Sequence, residues 1–98
     1  MAAFVSLISY TDDGVQNFKD FGQRMEHARH GAAELGVTIE SFHLTMGRYD
    51  AVVIFDAPDA ETAAKLALVN AANGRVRTET MAAFSEADTE RIAESLPI

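Results

Sequence analysis

Between Val37 and Phe55 the chain reads VTIESFHLTMGRYDAVVIF, two runs rich in alternating and β-branched residues that meet at Gly47-Arg48. Runs of this kind separated by two turn residues specify an antiparallel hairpin, Val37 to Met46 against Tyr49 to Phe55. A lone hairpin is marginal in water, so the flanking segments must supply further strands and a covering layer. Upstream, Phe4 to Tyr10 (FVSLISY) is strand-like and runs into Thr11-Asp12-Asp13-Gly14, where Thr11 or Asp12 can cap a helix. Phe18, Phe21, Met25, Ala28, Ala32 and Leu35 then recur at spacings of three and four, one apolar stripe on a helix of about six turns closed by Gly36.

Downstream, Pro58-Asp59 stops the hairpin and starts the alanine-rich helix DAETAAKLALVNAAN, with Asp59 as N-cap and Asn73-Gly74 as its end. Val76 to Phe84 (VRTETMAAF) alternates as a last strand, and Ser85 caps a short helix over Glu86 to Ser95. The order is β-α-β-β-α-β with an extra C-terminal helix. That predicts an α+β, ferredoxin-like fold, two helices covering one face of a four-stranded antiparallel sheet.

The other sheet face needs its own explanation. With Gly47 and Arg48 at the turn, Met46 opposes Tyr49, Leu44 opposes Ala51 and Phe42 opposes Val53, an apolar face that should meet the helices. The opposite face then carries Ile39, Ser41, His43 and Thr45 beside Asp50, Val52 and Ile54. A solvated face should not hold Ile39, Val52 and Ile54 together, so a second copy is expected to pack its sheet against this one as a homodimer, with higher oligomers left open.

Ninety-eight residues without a low-complexity tract predict a single domain over residues 1–98. A formal charge of −7, from eight basic and fifteen acidic side chains, repels phosphate backbones and excludes nucleic acid as a partner. MAAFVSLISY has no basic segment before its short apolar run, and no stretch approaches the ~20 apolar residues of a membrane span, so a cytoplasmic protein without a membrane partner is expected. Without cysteine there is no disulfide, thiolate or cysteine-metal chemistry. No glycine-rich phosphate loop is present either, so no cofactor is expected.

His43, Tyr49 and Asp50 are the candidate catalytic residues, the one compact acid–base constellation. His43 would exchange a proton near neutral pH, Asp50 would orient or balance it, and Tyr49 would donate to a carbonyl or oxyanion. The plainer reading, which the missing nucleophile favours, makes Asp50 a turn brace, Tyr49 a packed ring with a wet hydroxyl and His43 an interface residue. His27 and His30 point away from the apolar stripe and lack a third ligand, so no metal site is expected. Arg75, Arg77 and Glu79 share one face of the last strand, where ion pairs across strands or across a dimer are the default.

FVSLISYTDDG, TMGRYD, DAPDAETA and RVRTETMAAFS together resemble the GYD-domain family, named for a Gly-x-Tyr-Asp turn that matches Gly47, Tyr49 and Asp50. The resemblance spans almost the whole chain and implies a dimeric α+β barrel of ferredoxin-like subunits. The chain departs from the family pattern at His43-Leu44, where an aromatic pair is common, and at Asn73-Gly74-Arg75, where a Gly-Asn order is typical. Two functions follow as expectations. One is a structural or small-ligand-binding homodimer, its ligand small and apolar. The other is a cofactor-independent monooxygenase or isomerase acting on a small apolar or aromatic metabolite. Haem ligation by His27 or His30 would be a third.

Overall fold

The computed structural model describes residues 1–98. Its elements are β1 (Ala2–Tyr10), α1 (Asp12–Gln16), α2 (Phe21–Glu34), β2 (Thr38–Leu44), β3 (Ala51–Ala57), α3 (Ala60–Ala72), β4 (Val76–Ala83) and α4 (Glu86–Glu94). The four strands form one antiparallel sheet in the order β2-β3-β1-β4. The two hairpin strands thus lie on one side of β1 and the last strand on the other, the α+β arrangement read from the element order.

The caps fall where short polar side chains precede the helices. Thr11 accepts from the Gly14 N–H at 3.2 Å, Asp59 from the Thr62 N–H at 2.8 Å and Ser85 from the Asp88 N–H at 3.0 Å. The Thr62 hydroxyl and N–H, together with Lys65, hold the Asp59 carboxyl below its ordinary pKa. Gly36 and Gly74 close α2 and α3 with φ of 77° and 75°, conformations that side-chain-bearing residues avoid.

The expected six-turn helix is broken. α1 ends at Asn17, whose side-chain amide donates to the Asp13 carbonyl at 2.8 Å and offers the backbone an alternative to continuing the helix. A single 3-10 turn, Phe18–Asp20, follows before α2 begins. The break serves packing, because it lets Phe18 meet the Tyr10 ring edge-on at 5.2 Å and stack on Phe21 at 5.5 Å.

The core lies between α2, α3 and the Phe4/Val53/Phe55 face of the sheet, with Ala32, Val37, Ala57 and Ala63 completing it. Phe4 and Phe55 stack with ring centroids 5.5 Å apart across paired strands. The hairpin keeps the expected register, Leu44 against Ala51 and Phe42 against Val53. Two details differ. A bulge between Ile39 and Ser41 places Ile39 opposite Phe55 and packs it against the core, so Ile39 leaves the open face to which strict alternation assigned it. Leu44 and Met46, on the face expected to meet the helices, are 62% and 98% exposed, so the helices leave the hairpin tip uncovered.

No helix is long and apolar enough to cross a membrane.

Candidate functional site

On the sheet face away from the core, Val5 sits between Ile54 and Met81, and Leu7 between Val52 and Glu79. These residues make one apolar patch across β3, β1 and β4, with Ile54 38% and Met81 47% exposed. The helices bury their residues on the opposite face. Polar groups rim the patch at both ends. His43 on β2 pairs with Val52, and Arg77 and Glu79 on β4 pair with Ser9 and Leu7. At the far end Thr38 pairs with Asp56. Beside it Asp56 raises the pKa of the Glu40 carboxyl, first by accepting its hydrogen bond and then by like charge.

The turn that carries Tyr49 and Asp50 is braced from several sides. Asp50 accepts the Tyr10 N–H at 2.8 Å through Oδ2, while its own N–H donates to the Ile8 carbonyl at 2.8 Å. The Thr45 N–H reaches the Asp50 carbonyl at 2.8 Å, and the Thr45 hydroxyl reaches the Tyr49 carbonyl at 2.7 Å. Gly47, with φ of 106°, takes the one backbone conformation in the turn that a Cβ would oppose. Asp50 therefore ties the hairpin to the end of β1.

Tyr49 turns to β4. The nearby Glu79 carboxylate, as hydrogen-bond acceptor, raises the phenol pKa. Partial desolvation and the Glu79 charge add to this, and Arg48, its guanidinium 5.7 Å from the ring centroid, opposes it. His43 is exposed on the open face of the edge strand β2. The three sequence candidates thus share one end of the sheet, but the Asp50 carboxylate is engaged by the Tyr10 N–H rather than by His43. Arg75 departs from its expected strand neighbours, since it precedes β4 and pairs with Asp13 on α1 at 3.4 Å. His27 and His30 are exposed on α2.

The family model of the GYD domain matches residues 4–93. This chain belongs to the GYD-domain family. It is also 32% identical over 89 residues to the glutamine synthetase and cystathionine beta-lyase binding protein of Thermus thermophilus, an alignment covering 90% of this chain and 94% of that relative. No solved structure matches the chain. The braced Gly47–Asp50 turn carries the Gly-x-Tyr-Asp pattern for which the family is named, and in this GYD domain its Asp50 side chain fastens the hairpin to β1.

The main concavity of the GYD domain lies on the other face, a cleft of about 750 Å³ between α2, α3 and the sheet. His43, Tyr49 and Asp50 do not line it. Arg24, which is not among the residues the sequence singles out, does. The available signal was a charged residue three positions after Phe21 and four before Ala28, inside the angular span of the apolar stripe.

Proposed function

We propose that this GYD-domain protein is a self-pairing, non-catalytic binding protein of the cytoplasm. Two ferredoxin-like subunits join their open sheet faces as a dimeric α+β barrel, and the dimer docks on an enzyme. The observation that carries the reading is the uncovered patch of Val5, Leu7, Val52, Ile54 and Met81 on a chain that exposes too much surface for its size. A monomer of 10.6 kDa should expose roughly 5,500 Å² by the usual size scaling, whereas this chain exposes 6911 Å². The excess is larger than the ~800 Å² that each partner gives to an interface of standard size. The rim of His43, Arg77 and Glu79 at one end and Glu40 and Asp56 at the other would fix the register of the pair.

The enzyme-docking half is supported by the name of the Thermus thermophilus relative, a protein said to bind glutamine synthetase and cystathionine beta-lyase. A catalytic alternative would use His43 as base with Tyr49 and Asp50 in support. The commitment of Asp50 to Tyr10 favours a turn-bracing role instead.

Sedimentation velocity tests the pairing. The expected species has twice the 10.6 kDa chain mass, and Leu7→Glu, which puts a charge within the patch, should give a folded monomer. A wild-type chain that sediments alone at high micromolar concentration rules the pairing out. Biolayer interferometry against purified glutamine synthetase and cystathionine beta-lyase tests the docking. Binding to neither removes that half of the proposal and leaves the pairing to the sedimentation result.

A further inference from the structure

The cleft between α2 and α3 has the size of a small-molecule site, within the ~300–1,000 Å³ range of ligand pockets. One wall is a run of aromatic rings. Tyr10, Phe18, Phe21 and Phe42 follow one another at centroid separations of 5.2, 5.5 and 4.8 Å. Ile8, Val53 and Leu66 extend the apolar lining, and Ser6 on the floor is already satisfied by the Thr80 hydroxyl at 2.6 Å.

Arg24 breaks this apolar lining. Its Nε is sealed from solvent and has no hydrogen-bond partner. A guanidinium has only donors, so nothing but an acceptor can complete it, and a buried donor left without one is rare in folded proteins. The acidic residues that also line the cleft, Asp20 and Glu34, do not bond to this nitrogen. The planar fork of arginine matches a carboxylate, whose charge strengthens the hydrogen bonds.

We infer that the cleft binds a small aromatic carboxylate, its ring against the Phe18/Phe21/Phe42 wall and its carboxylate on Arg24. This site lies on the face opposite the open sheet patch and does not depend on the pairing proposed above. Arg24 is then a ligand-binding residue, and because its Nε is closed to water in the free protein, binding requires its side chain to shift and present that donor to the carboxylate.

A pair of probes that differ in charge and hardly in shape tests this, 1-naphthaleneacetate and 1-naphthaleneacetamide. Wild type should bind the acid at least about tenfold more tightly than the amide. Arg24→Gln should abolish that preference, keep the amide affinity and leave the thermal midpoint of the free protein unchanged or higher, because an unpartnered donor is lost. A purely structural arginine would instead lower the midpoint and leave the preference intact, which overturns the inference. As a second measurement, amide chemical-shift mapping on wild type should place the acid's effects on α2, around Phe42 on β2 and on the core face of β3 and β1. Shifts centred on Val5, Val52 and Ile54, equal affinities for the two probes, or no binding of either below millimolar concentration would each overturn it.

Discussion

Asp50 and His43 stand seven residues apart in one hairpin and illustrate opposite kinds of polar residue. Asp50 closes a backbone donor at the end of β1 that would otherwise go unpaired, so its truncation leaves a part-buried N–H exposed to loss. Asp50→Ala should cost about 1–3 kcal/mol in urea unfolding, while His43→Ala, at an exposed position, should stay within about 0.5 kcal/mol. Equal costs for the two would refute the bracing role. Gly14 is a second residue fixed by its surroundings, since a Cβ there would overlap the Arg75 carbonyl. The same loop accepts the Thr11 N–H at 3.0 Å and the Thr11 hydroxyl at 2.7 Å, so it has little freedom to withdraw. Gly14→Ala should therefore destabilise by about 1–3 kcal/mol even though alanine is the better helix former, a reversal that thermal unfolding would reveal.

Among the elements, β2 shows what one extra residue in a strand does. The bulge between Ile39 and Ser41 turns Ile39 into the core and leaves Glu40 beside Asp56 at the sheet edge. A carboxyl whose pKa is raised on folding favours the native state when protonated, so the penalty is absent below the unfolded pKa and grows as pH rises through the folded one. Glu40→Gln should then be more stable than wild type at pH 7, with the gap closing as the pH falls to about 4. A gap that widens with acid would contradict the Glu40–Asp56 contact. α4 gives a different expectation because it buries none of its residues, and Phe84 just before it is 64% exposed. In the monomeric Leu7→Glu background, ending the chain at Phe84 should shift the unfolding free energy by no more than about 0.5 kcal/mol. Any larger loss would mean that α4 is integral to the subunit.

At the scale of the whole molecule, ten buried residues of 98 and a longest dimension of 51 Å describe an elongated subunit that covers one side of its sheet. Because folding raises the Glu40 carboxyl above its ordinary pKa, acidification removes its charge from the rim earlier than from an unperturbed glutamate, so the proposed dimer should tighten as the pH falls, by sedimentation equilibrium. The element order, the three side-chain caps, the stops at Gly36 and Gly74 and the pairing of Leu44 with Ala51 were all legible in the sequence. They depend on neighbours within one turn or one hairpin, where side-chain period and capping chemistry act. Only the tertiary structure decided that Ile39 faces inward, that the first helix breaks at Asn17, that Gly14 must lack a Cβ and that Arg24 is sealed without a partner. The last two depend on residues brought together from distant parts of the chain, as when Arg75 meets Asp13 and Gly14 across 62 and 61 positions, and the first two on a bulge and a side-chain bond that strict alternation and helical period do not encode.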